Sequence, residues 1–137
     1  TALGIKREET MAAETNAQHV HWDDRDWEQL GPIMKRRFVW GEHLMVAQIE
    51  MFAGGHVPQH QHHNEQITNV LEGRLEFRFG ADGADVRIVA SGDSVVIPAN
   101  LPHEVEVLED TKVIELFSPP RQDWIEGTDA YLREEDG

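Results

Sequence analysis

The apolar runs of this chain are short, and turn signals interrupt them about every 8–12 residues. The longest runs reach about four residues, as at 44–47, far short of the ~20 a membrane helix needs. A chain punctuated this way reads as short antiparallel strands folded into a sandwich or barrel. From Lys35 onward about eight strands can be placed, including 44–52, 66–71, 74–79, 86–90, 94–97, 104–108 and 112–117. Gly54-Gly55, Ser91-Gly92-Asp93 and Glu109-Asp110 separate some of them, and Pro98 and Pro119-Pro120 stop others. Gly73, between 66–71 and 74–79, reads as a tight hairpin turn. Leu75, Phe77 and Phe79 share one face, and so do Val113, Glu115 and Phe117.

The chain has 137 residues, 39% of them hydrophobic, which suits one domain with one core. Residues 1–18 are polar and read as a flexible arm, leaving 19–137 as the domain and about 35–118 as its barrel. After the last strand, 123–133 reads as a helical turn or two, docked by Trp124, Ile125, Tyr131 and Leu132. Twelve Lys and Arg against 26 Asp and Glu give a net charge of −14. That balance argues against nucleic acid and against an anionic membrane surface. With no cysteine, disulfides, thiolate nucleophiles and Cys-ligated metals are excluded. No signal-peptide core is present, so a cytoplasmic location is expected.

Eight histidines are present, three of them in His60-Gln61-His62-His63. On a strand His60 and His62 point the same way, and the same parity carries on to Gln66, Thr68 and Val70. Two neutral imidazoles on one face suit a divalent metal, with Gln66 and a distant strand completing the set. The other reading is an inert, solvated histidine loop. His63 should point away, and His56 could line the mouth. Glu115, between apolar neighbours, faces either the cavity or solvent at an edge.

A second stretch, Gly92 to His103, places one more histidine after a strand and a proline-bounded turn. With both stretches in view the chain resembles a cupin. The family's first motif, G(X)5HXH(X)3,4E(X)6G, reads here as Gly54, His60, His62, Gln66 and Gly73, with Gln66 in place of Glu. The second, G(X)5PXG(X)2H(X)3N, reads as Gly92, Pro98, Asn100, His103 and Val107. Asn100 stands for a glycine, which a left-handed turn position tolerates. The resemblance implies an all-β, jelly-roll barrel with one divalent transition metal (Ni, Zn, Fe or Mn) at His60, His62, Gln66 and His103. An amide ligand would leave that ion its whole charge, where a carboxylate would cancel part of it.

Within cupins, the stretches 65–79 and 113–124 resemble the small single-domain KdgF type of pectin degradation. This narrower resemblance implies a metal-dependent, isomerase-like enzyme. It would promote ring opening and ketonisation of 4,5-unsaturated monouronates, small anionic sugar acids. The family's acid, phenylalanine and arginine fall on Glu115, Phe117 and Arg121, with Glu where the family has Asp. Glu115 would serve as acid and base, and Arg121 would grip the substrate carboxylate bidentately. Two other readings stand beside it. One is a different cupin enzyme, a lyase or dioxygenase on a small acid, although the lyases carry Tyr where this chain has Thr68. The other is a non-catalytic sugar-acid-binding cupin. A homodimer is expected, because a short-stranded barrel leaves sheet edges to cover.

Overall fold

The computed structural model describes residues 15–133. Of the expected arm at 1–18, residues 1–14 lie outside the described residues, and residues 15–18 are exposed. Ten strands follow in chain order: β1 (Glu28–Leu30), β2 (Met34–Trp40), β3 (Met45–Met51), β4 (His56–His60), β5 (Glu65–Glu72), β6 (Arg74–Phe79), β7 (Asp85–Ala90), β8 (Ser94–Ile97), β9 (His103–Val107) and β10 (Thr111–Ser118). Two short helices close the described chain, α1 (Gln122–Glu126) and α2 (Ala130–Arg133). No helix among the described residues is long and apolar enough to cross a membrane.

The strands form two antiparallel sheets with the orders β1-β2-β3-β10-β5-β8 and β4-β9-β6-β7. This is the expected all-β jelly roll, with one difference: the sheets face each other and are not closed into a continuous ladder. The expected strands are present, joined by β1 and β4. Neither of these shows an apolar period, since β1 has three residues and β4 carries His56, Pro58, Gln59 and His60.

The hairpin expected at Gly73 is not one. β5 pairs with β10 and β8, whereas β6 pairs with β7 and β9. Gly73 is where the chain crosses from one sheet to the other. It has φ 101°, and a Cβ there would lie 2.3 Å from Thr111 Oγ1 and 2.5 Å from the Asp110 carbonyl oxygen. The crossing therefore needs glycine for conformation and for space alike.

Alternation places every second side chain between the sheets. β3 and β10 bury alternate residues along their whole length. The core gathers Met45, Ala47, Ile49, Val70, Leu75, Phe77, Val105, Val107, Val113 and Phe117. Along each inward face the residue type then changes. β10 runs from Val113 to Glu115, β5 from Val70 through Thr68 to Gln66, and β9 from Val107 through Val105 to His103. Cross-strand register sets Glu115 opposite Thr68 and His60 opposite His103. One end of the core is thus polar, and buried.

Candidate metal centre and its buried acid

His60, His62 and His103 bring one ring nitrogen each to within 4.8 Å of one another. His60 ends β4, His103 opens β9, and His62 lies in the bend between β4 and β5. The strand parity expected for His62 therefore stops one residue early, and the bend turns its ring to the same centre. Asn100, at φ 66°, supports that bend, its N–H donating to the His62 carbonyl at 2.7 Å.

Each imidazole is oriented by a backbone carbonyl two residues away. His60 Nδ1 lies 2.9 Å from the Pro58 oxygen, His62 Nδ1 3.0 Å from that of Asn64, and His103 Nδ1 2.8 Å from that of Leu101. With the proton held on Nδ1, every Nε2 carries its lone pair toward the common centre. His103 Nε2 is buried and has no hydrogen-bond partner among the described residues. Burial, followed by the nearby His103, holds the pKa of His60 down to about 3. Burial and then Arg121 hold His62 down to about 4, and burial lowers His103 as well. The rings are neutral near pH 7, the state in which imidazole binds metal.

Gln66 fits the same centre. Its Oε1 is 3.1 Å from His62 Nε2, while its Nε2 donates to Thr68 Oγ1 at 2.9 Å and to Glu115 Oε2 at 3.2 Å. The amide cannot be reversed without losing both donations. A neutral His62 has one N–H but faces two acceptors, the Asn64 carbonyl and Gln66 Oε1. One lone pair always meets another unless the ring gains a proton or a cation lies between. The lowered pKa rules out the proton near neutral pH, so the donor set suits a cation.

Glu115 lies buried behind Gln66. Thr68 Oγ1 donates to its Oε2 at 2.9 Å, so Oε2 accepts both available donors. Burial raises the Glu115 pKa, against the opposing pull of Thr68 and Arg121. Oε1 makes no hydrogen bond among the described residues and is the oxygen left to carry a proton.

Arg121 follows β10 across a cis Ser118–Pro119 peptide bond. Asn64 Nδ2 ties that turn to the histidine bend, donating to the Pro119 oxygen at 2.6 Å. The bidentate edge expected to meet a substrate is already engaged: Nε and Nη2 bind the two oxygens of Asp123 at 2.9 and 2.7 Å. Nη2 also donates to the Tyr131 hydroxyl at 2.6 Å. Nη1 makes no hydrogen bond among the described residues and is the group free to meet an anion. Burial works against the charge of Arg121, but Asp123 and Tyr131 outweigh it and raise its pKa. Phe117 is buried, edge-on to His62 at 6.0 Å and beneath the guanidinium of Arg121 at 5.1 Å.

All seven expected residues are therefore near one another, and His60, Gln66, His103, Glu115 and Arg121 line a single cavity of about 40 Å³. His63 is exposed, and His56 pairs outside with Glu104 at 2.6 Å. Three residues escape sequence reading. Tyr131, marked only as a docking residue, stacks on His60 at 4.3 Å. Arg36 is buried on β2, 2.8 Å from buried Asp129 and 4.2 Å from the Trp124 ring centre. A charge within a strand pattern, as Arg36 is in Met34–Trp40, was the available signal.

Comparisons with known proteins agree with this fold. The cupin domain family matches residues 48–118. The pectin degradation protein KdgF of Dickeya dadantii is 32% identical over 106 residues, covering 75% of this chain and 94% of that protein. The solved structure of KdgF from Halomonas sp. superposes with a TM-score of 0.68 at 31% identity, covering 74% of this chain and 94% of that one. An RmlC-like cupin from Shewanella frigidimarina gives a TM-score of 0.71 at 25% identity, covering 79% and 96%.

Proposed function

Because the chain belongs to the cupin family and is a relative of the pectin-degradation KdgF proteins, we propose that it is a metal-dependent enzyme opening and ketonising 4,5-unsaturated monouronates. One observation carries the reading. A buried carboxyl of raised pKa stands directly behind an amide whose oxygen lies 3.1 Å from His62, one of three clustered neutral imidazoles. His60, His62, Gln66 and His103 would hold one divalent ion (Ni, Zn, Fe or Mn), which would supply Lewis acidity toward a bound oxygen.

The reaction moves one proton. The anomeric hydroxyl loses it as the ring C–O bond breaks, and the enol carbon gains it as the ketone forms. Glu115 is suited to both transfers. Ionised, it takes the proton at Oε1; burial then holds that proton until the carbon accepts it. Thr68 and Gln66 keep Oε2 fixed throughout, so Oε1 alone faces the reaction. Nη1 of Arg121 would bind one oxygen of the substrate carboxylate and Nη2, now shared with the Tyr131 hydroxyl, would take the other, with Asp123 holding the guanidinium in place. Phe117 supports both the His62 ring and that guanidinium from below.

The test is direct. Metal-loaded protein is mixed with unsaturated galacturonate, and loss of the ultraviolet absorbance of the conjugated enol acid is followed. The expected result is an acceleration that a chelator abolishes. No acceleration over buffer with metal bound refutes the reading, and galacturonate that binds but emerges unchanged makes the protein a sugar-acid-binding cupin.

The same reading includes a homodimer and a cytoplasmic setting. Support for the dimer comes from the outer face of the six-stranded sheet, where Val46, Leu116, Ile67 and Val96 fall in one cross-strand row. Val96 is 56% exposed and Leu116 38%. A light-scattering mass near 15.6 kDa would refute the dimer.

A further inference from the structure

Two spaces in this molecule share one wall. The inner space, about 40 Å³, holds Glu115, Gln66 and the imidazoles of His60 and His103. It takes a few water molecules at ~10–15 Å³ each, far below the ~300–1,000 Å³ of ordinary small-molecule pockets. The outer space is an open groove of about 760 Å³, bounded by Pro32, Ile33, Gly54, Gly55 and Pro58. Tyr131 lines both.

The position of Tyr131 follows from the topology. β4 is an edge strand of the small sheet, β1 is an edge strand of the large one, and among the described residues no ladder joins the two sheets. α2 packs on β4 beside this open seam. It is a helix of four residues, too short to persist alone, so its side chains hold it there. Leu132 is buried, Asp129 meets Arg36, and the Tyr131 ring lies on His60 at an interplanar angle of 23°. The Tyr131 hydroxyl accepts from Arg121 Nη2, the same guanidinium whose Nη1 is free. The family match ends at residue 118, before any of these tail residues.

We propose that Tyr131 is the specificity-determining gate of this site: its ring must leave His60 before an organic acid reaches Glu115, and a carboxylate taking the place of its hydroxyl on Arg121 releases it. The inference rests on the reading of Arg121 as the carboxylate holder. With the ring displaced, the two spaces join into one pocket of monosaccharide size. A neutral sugar of the same shape has no charge with which to displace the phenol from Arg121, so the gate selects for acids.

The test uses the full chain loaded with Zn²⁺ and mixed with excess dipicolinate, with stripping of the metal timed by stopped flow. Tyr131→Ala should lose metal at least ~10-fold faster than the natural chain, and Tyr131→Phe, which keeps the ring and loses the Arg121 bond, by roughly 3-fold. Calorimetric titration supplies the second readout. Galacturonate should bind the natural chain far more tightly than galactose, and Tyr131→Ala should narrow that ratio at least ~10-fold by gaining affinity for galactose. Equal stripping rates in all three proteins, or an unchanged ratio, overturn the gate and leave the metal reading intact. If Tyr131→Ala does not fold, Tyr131→Phe decides alone, and no acceleration in it overturns the gate. If the natural chain binds no Zn²⁺, the stripping is timed on whichever of Ni, Fe or Mn it binds, and if it binds none of them the proposed function falls. The gate is then judged by the rate of diethylpyrocarbonate modification of His60, His62 and His103, faster in the variants if it exists and unchanged if it does not.

Discussion

The two walls of the cavity are held by different means. On the histidine wall, each ring is set by a carbonyl two residues away, within its own strand or bend. On the tail wall, one contact is as local, Arg121 on Asp123 two residues on, and the others reach further along the chain. Arg121 holds Asp123 and Tyr131, and Arg36 reaches from β2 to Asp129. The difference teaches where rigidity comes from. A ligand set oriented by backbone carbonyls at or beside strand ends is held by main chain that the sheets anchor and that has no side-chain rotamer to change. A tail clamped by side-chain ion pairs is held by groups that another anion can replace.

The contrast can be broken most severely on the histidine wall. His103→Ala removes one ligand and leaves two facing neutral rings, so Zn²⁺ affinity should fall by at least ~100-fold. Equilibrium competition with a chelator measures it, and a fall below tenfold would detach His103 from the metal centre. Glu115→Gln should keep the bound metal but slow turnover of unsaturated galacturonate by about 10²–10⁴-fold. Metal content by mass spectrometry, set beside the rate, separates proton transfer from site collapse.

The tail wall should yield in stability. Arg36→Met removes the buried cation that meets both Asp129 and Glu28, which should cost about 3–5 kcal/mol in urea unfolding. A loss under 1 kcal/mol would mean that the tail is anchored by packing alone.

Acid sharpens the comparison further. The unfolded imidazoles titrate near 6.5, whereas folding holds His60 at about 3 and His62 at about 4. Between those values the unfolded chain binds more protons, so the metal-free protein should lose stability as pH falls from 6.5 toward 4. The raised pKa of Glu115 acts in the opposite sense above the usual carboxyl value, but three rings outnumber one carboxyl. Urea midpoints across this range should fall with pH, and a flat profile would contradict the burial of the rings. The smallest effect is expected from Gln66→Glu. It adds a negative ligand and removes the donor to Glu115, so Zn²⁺ should bind more tightly and galacturonate roughly tenfold more weakly. Titration calorimetry of both ligands checks the two signs.

Much of the histidine wall was legible in the residue order. Alternation placed Gln66, Thr68 and Val70 on one face, and Val113, Glu115 and Phe117 on another, and both faces are buried. Motif spacing found His103, and the glycine-like position of Asn100 is borne out by its positive φ. Gly73 was misread because a glycine between two strands looks the same in a hairpin and in a crossover. The choice depends on which strands each neighbour pairs with. β4 went unread because Pro58 and two histidines hide its period.

The tail was legible only as a set of apolar docking residues. Nothing near Tyr131 in the chain indicates that its ring reaches His60, or that Asp129 meets an arginine on β2. The order of residues by itself determined what period-two alternation and ±2 neighbours control: strand faces, turn positions and the donor set of one wall. Tertiary structure alone decided which sheet each strand joined, which edge of Arg121 was taken, and what covers the seam. Contacts between residues far apart in the chain depend on how the sheets stack, and pattern within a strand does not encode that stacking.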